Sequence, residues 1–114
     1  MTAKLHQEGP NKLTDFDLNM IDLEKFKWIV YWYEEGFYDG GGEAVALGND
    51  GLLYVSALGH CSCFGPTEHF NHTDSMTIEE FNRPKDSIHD YDCRYELKSK
   101  VGELLLYIHN EIEW

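Results

Sequence analysis

The sequence has little positive charge. Nine Lys and Arg residues stand against 21 Asp and Glu residues in 114, which gives a formal net charge of −12. Phosphate backbones and anionic membranes are bound through clustered cations, so this shortage argues against nucleic acids and membrane surfaces as partners. The same excess of carboxylates favours a partner protein that presents a basic surface.

Cysteines and long apolar runs are also scarce. Three Cys residues, two of them one residue apart, are too few for the disulfide framework of a small secreted domain. The longest apolar stretches, such as residues 28–33 and 104–108, are too short to cross a bilayer, and residues 1–10 lack the apolar stretch of a signal peptide. We therefore expect a cytoplasmic protein whose cysteines are thiols or metal ligands.

Apolar residues, by contrast, are plentiful enough for a core. Hydrophobic residues make up 42% of the chain and aromatic residues 14%. A chain of this length is typical of one small domain. We expect a flexible leader over residues 1–12 and a single α+β domain over residues 13–114.

Three strands are predicted in the first half of the chain. Residues 26–33 are dense in aromatic and β-branched side chains on both alternating faces, which is typical of a strand covered on both sides. Glycine-rich turns separate this segment from two further strands, at residues 43–47 and 52–58. Consecutive strands joined in this way predict an antiparallel meander.

Helical signals lie before and after these strands. Thr14 is a candidate N-cap, and Thr77 with Glu80 has the spacing of a capping box. Two groups of apolar residues have helical spacing. They are Leu13, Phe16, Met20 and Leu23 near the start, and Leu97, Val101, Leu104, Leu105, Ile108 and Ile112 near the end.

The predicted fold class is α+β. We expect a three-stranded antiparallel meander packed by a long C-terminal helix, with one or two short helices. Because residues 26–33 are apolar on both faces, a further layer should cover the second face of the sheet. The candidates are the N-terminal segment, the loop at residues 59–74 and a second copy of the chain in a homodimer.

A loop rich in Cys and His is the clearest chemical signal. Thiolate and imidazole are ligands that Zn²⁺ prefers. The Cys pair and the His pair are each one residue closer than zinc-finger ligands usually are, so we favour ordinary core and surface roles over a zinc site. The candidate ligands are Cys61, Cys63, His69 and His72, with His60 and Cys93 as further candidates.

The enzymatic alternative is a small thiol or metal-dependent hydrolase. In a thiol enzyme, Cys61 or Cys63 would be the nucleophile and His60 or His69 the base. Neighbours in one loop seldom position a nucleophile, its base and an orienting group correctly. We therefore expect a protein without catalytic activity.

A partner-binding surface is predicted beside the first glycine turn. Glu34, Glu35 and Asp39 supply carboxylates there, and Phe37 with Tyr38 is an aromatic pair of the kind that anchors protein interfaces. We predict that these five residues bind the partner.

Three segments resemble a family of small bacteriophage and prophage proteins. They are Tyr-Trp-Tyr-Glu-Glu-Gly-Phe-Tyr-Asp-Gly at residues 31–40, Leu-Gly-His-Cys-Ser-Cys-Phe-Gly-Pro at residues 58–66 with Glu68, and residues 81–87. The likeness extends over about residues 28–94, and Gly-His-Cys-Ser-Cys is its most specific part. It implies an accessory protein that acts inside a bacterial cell, and it supplies no catalytic residues.

Charge and resemblance together predict the function. We expect a small acidic protein that binds and modulates or inhibits a nucleic-acid-processing or defence protein of the host. The alternative is a zinc-binding regulatory or structural module built on the Cys/His loop.

Overall fold

A ten-residue strand with buried side chains on both faces organises the fold. The computed structural model describes residues 3–35, 40–59, 66–68, 70–82, 97 and 99–106. The strands are β1 (Lys4–Gln7), β2 (Phe26–Glu35), β3 (Gly40–Gly48), β4 (Leu53–Ala57) and β5 (Ser75–Met76). The helices are α1 (Asp15–Leu18), α2 (Ile78–Asn82) and α3 (residues 99–106), with a 3-10 turn at Leu23–Lys25.

The five strands form one mixed sheet in the order β1-β2-β3-β4-β5. β1 is parallel to β2, and the other neighbouring pairs are antiparallel. The predicted three-stranded meander packed by a long C-terminal helix is therefore wrong. β1 lies within the predicted leader and has no hydrophobic pattern, because an edge strand is stabilised mainly by backbone pairing and buries few apolar side chains of its own.

One face of the sheet, which we call the helix face, packs against the helices. Leu97, Val101 and Phe81 of the helical segments are buried there. Within the described residues, α2 and α3 share the covering of this face, and α3 has eight residues there. Ile108 and Ile112 of the predicted long helix lie outside the described residues. The sheet residues of the helix face are Trp28, Val30, Val45, Leu47 and Leu53.

The opposite face, which we call the loop face, is covered by irregular chain. Leu13 and Ile21 from the N-terminal segment and Phe70 from the following loop are buried there. The prediction that a further layer covers the sheet is confirmed, and the chain itself supplies that layer. The sheet residues of the loop face include Ile29, Tyr31, Tyr33, Ala44, Ala46 and Tyr54.

The capping signals are confirmed. The Thr14 hydroxyl accepts a hydrogen bond from the Asp17 backbone N–H at 3.2 Å, and the Asp17 carboxylate accepts one from the Thr14 N–H at 3.1 Å. Thr77 and Glu80 form the same reciprocal pair, with both hydrogen bonds at 3.0 Å. These motifs are local in sequence, so the surrounding fold has little influence on them.

The amphipathic helix predicted after Leu13 is much shorter than expected. α1 ends at Leu18, after about one turn. A single turn cannot carry a continuous apolar stripe, and Phe16 is 73% exposed while Met20 is 44% exposed. The apolar residues of this segment therefore divide between the core and the surface.

Two tyrosines of the loop face give a matched test of buried hydroxyl groups. Tyr31 Oη accepts a hydrogen bond from the Leu13 backbone N–H at 3.2 Å. Tyr33 Oη is buried and has no hydrogen-bond partner in the described part of the chain, and desolvation, aided by the charge of Glu35, raises the Tyr33 pKa. We expect Tyr33→Phe to increase the free energy of unfolding by about 1 kcal/mol and Tyr31→Phe to decrease it by about the same amount.

Urea denaturation of the two variants checks this prediction. The substitution is chemically identical and the positions are two residues apart on the same strand face. Effects of the same sign would show that hydrogen bonding of the hydroxyl does not decide the outcome.

Candidate functional site

Most of the predicted site residues lie outside the described part of the chain. Of the candidate zinc ligands only His72 is described, and of the predicted partner-binding residues only Glu34 and Glu35 are described. The predicted residues outside it are His60, Cys61, Cys63, His69, Cys93, Phe37, Tyr38 and Asp39.

His72 is engaged in holding two segments together. Its Nε2 accepts a hydrogen bond from the Asp22 backbone N–H at 3.0 Å, and its carbonyl oxygen accepts one from the Lys25 ammonium. Its ring lies 5.9 Å from the Phe26 ring and 5.2 Å from the Phe70 ring, centre to centre. A metal at Nε2 would have to displace the Asp22 hydrogen bond, so this geometry favours a structural role for His72.

The described residues offer no alternative metal centre. Among them, no group of three or more His, Cys, Asp or Glu side chains could hold a metal ion. The candidate zinc site therefore gains no support from the described residues, and all of its candidate ligands except His72 lie outside them.

Glu34 and Glu35 lie on opposite faces of the sheet. They are successive residues at the end of β2, paired with Gly41 and Gly40, and both are exposed. Because side chains alternate along a strand, Glu34 lies on the helix face with Trp32, whereas Glu35 lies on the loop face with Tyr33. The two predicted partner-binding carboxylates cannot contact one small ligand together.

A cleft of about 400 Å³ lies beside Glu34, and we call it the tryptophan cleft. Trp32 and Glu34 come from β2, and Glu43 pairs with both Trp32 and Ala57 across the sheet. Gly41 leaves space in it, because a Cβ added there would meet no atom of the described part of the chain within 4 Å. Its lining includes Trp32, Glu34, Gly41, Glu43, Ala57 and Gly59.

The cleft combines a half-buried indole with carboxylates. Trp32 packs partly against the helix-face core and keeps part of its surface accessible. Glu34 is exposed and Glu43 is half-buried. An aromatic ring beside negative charge attracts cations and repels anions, which gives this cleft a defined chemical preference.

A second cleft of about 620 Å³ lies along the outer side of β4. Asn71 occupies its wall, where its backbone N–H donates to Ser56 Oγ at 2.9 Å and its side-chain amide donates to the carbonyl oxygens of Val55 and Asp74. The Asn71 side-chain oxygen accepts from the Thr73 and Asp74 N–H groups. These hydrogen bonds attach the loop at residues 70–74 to β4, so we assign Asn71 a structural role in the wall of this cleft.

Sequence reasoning identified Glu34 but missed the other residues of the tryptophan cleft. The sequence predicts a strand with two buried faces over residues 26–33 and a glycine-rich turn before residue 43, so neither Trp32 nor Gly41 is predicted as a site residue. Only the register of β2 against β3, which pairs Glu34 with Gly41 and Trp32 with Glu43, places these residues side by side.

Comparison of the chain with protein-family models, curated proteins and solved structures gives no match. In the ranges that the structure describes, no helix is long and apolar enough to cross a membrane.

Proposed function

We propose that this chain is a small acidic protein that binds a host protein through that protein's basic surface, and modulates or inhibits it without catalysis. The observation that carries the proposal is the net charge of −12. Exposed carboxylates occur on both layers of the fold, including Asp22 and Glu24 beside the loop face and Glu79 and Glu103 beside the helix face. A partner with a basic groove is attracted by such a surface from several directions of approach.

The class of partner follows from charge and from the resemblance to phage proteins. Proteins that process nucleic acids carry basic grooves that fit phosphate backbones. A small domain with surplus carboxylates is suited to compete for such a groove. The resemblance supports a host protein, either nucleic-acid-processing or defensive, as the partner.

Salt dependence tests this proposal. The tagged protein is used to capture partners from a bacterial lysate at low salt, and affinity is then measured with each purified partner. We expect the Kd to rise by about tenfold or more between about 0.05 and 0.5 M salt, because surface charges are screened over shorter distances as salt increases. We also expect the protein to displace nucleic acid from its partner.

Two outcomes would contradict the proposal. One is a complex whose affinity does not change with salt. The other is direct binding of DNA, RNA or anionic vesicles by this protein in the absence of a partner. Parallel series with sodium chloride and with sodium phosphate as the added salt control for effects of a particular anion.

A further inference from the structure

We propose that the tryptophan cleft binds an arginine side chain of the partner, an inference that rests on the proposed function. The guanidinium stacks on Trp32 and forms a hydrogen-bonded ion pair with Glu34. This contact would add specificity to the electrostatic attraction between the acidic protein and its basic partner.

The spacing along β2 suits such a ligand. Trp32 and Glu34 are two residues apart on the same face, which separates them by about 6 to 7 Å along the strand. A guanidinium over the indole can therefore direct its N–H groups towards the carboxylate. Glu43 lies directly across from Trp32 and forms part of the cleft lining.

The glycine opposite Glu34 keeps the site open. Gly41 pairs with Glu34, and any side chain at this position would project into the cleft from the floor of the sheet. Among the described residues, no atom lies within 4 Å of a Cβ added there, so none of them packs into this space. The cleft volume of about 400 Å³ falls within the range of small-ligand pockets.

Arginine is favoured over lysine by the shape and hydration of its cation. The guanidinium is planar, stacks on aromatic rings and donates two parallel hydrogen bonds to one carboxylate. The lysine ammonium is compact and strongly hydrated, so it loses more on entering a half-buried cleft. A neutral ligand can donate a hydrogen bond to Glu34 but lacks the ionic attraction, and an anionic ligand is repelled.

A peptide titration followed by NMR tests the proposal. The probe is a capped Gly/Ser peptide with one arginine, compared with peptides carrying lysine or citrulline, the neutral isostere of arginine, at the same position. At about 0.15 M salt we expect saturable shifts of the Trp32 indole N–H and the Gly41 and Gly59 amides. The citrulline peptide should bind at least about fivefold more weakly.

Two variants of the protein separate the cleft from general electrostatics. Glu34→Gln should weaken arginine binding by about fivefold or more, whereas Glu24→Gln, which removes the same charge at the other end of β2, should change it by less than about twofold. Gly41→Val should fill the cleft and abolish the saturable shifts. Unchanged amide spectra elsewhere in Gly41→Val show that the fold is intact.

The proposal is overturned if Glu34→Gln and Glu24→Gln weaken binding equally, or if the citrulline peptide binds as well as the arginine peptide. Its failure is distinguishable from failure of the proposed function. If the partner complex is salt-sensitive but its affinity is unchanged by Gly41→Val, the proposal for the cleft fails and the proposed function stands. A salt-insensitive wild-type complex removes the function, whatever the peptides show.

Discussion

Replacing Gly42 with alanine is expected to unfold the protein or to lower its free energy of unfolding by about 3 kcal/mol or more. The added methyl group would overlap the Trp32 carbonyl oxygen and would lie 2.9 Å from both the Trp32 carbonyl carbon and the Tyr33 Cα. These are backbone atoms of the neighbouring strand, and Tyr33 pairs directly with Gly42. Relief of the overlap requires β2 and β3 to move apart where Tyr33 pairs with Gly42.

Gly41→Ala is the matched control. Gly41 is adjacent to Gly42 in β3, and in the ranges that the structure describes a Cβ at this position meets no atom within 4 Å. We expect the free energy of unfolding of Gly41→Ala to fall by no more than about 0.5 kcal/mol. It can rise by up to about 1 kcal/mol, because alanine restricts the unfolded chain more than glycine does. Urea denaturation measures both variants, and equal losses would refute the argument from close strand approach.

The central strands could be predicted because their signals are local. Residues 26–33 carry large apolar side chains on both faces, and glycines precede the apolar runs of β3 and β4. The glycines at residues 40–42, predicted to form a turn, instead begin β3. The structure adds strands at both edges of this unit. Leu5 is the only large apolar residue of β1, and β5 contains two residues, so neither produces a hydrophobic pattern from which it could be recognised.

The tryptophan cleft could not be predicted because it depends on register. Alternation along β2 puts Glu34 on the same face as Trp32, but only the pairing of β2 with β3 puts it beside Gly41. The same dependence explains His72. Its hydrogen bond from Asp22 joins residues 50 apart in the chain, and no spacing rule anticipates that contact.

The second large effect is expected for Phe26→Ala, at the point where β2 joins the loop-face layer. Phe26 is 1% exposed, and its ring makes edge-to-face contacts with Tyr54 at 5.4 Å and Phe70 at 5.8 Å, centre to centre. Removal of a buried phenyl ring costs about 3 to 5 kcal/mol from lost burial and the resulting cavity. Because small domains are stable by only about 5 to 15 kcal/mol, we expect a large fall in the urea midpoint.

Phe16→Ala is the control for this substitution. It deletes the same atoms from a side chain that is 73% exposed, so the free energy of unfolding should change by less than about 0.5 kcal/mol. A loss in Phe16→Ala as large as in Phe26→Ala would mean that Phe16 is buried in solution, against another part of the chain or a second copy. A loss in Phe26→Ala below about 1 kcal/mol would contradict the packing of residues 70–72 on the sheet, because that layer depends on the Phe26 ring for its aromatic contacts.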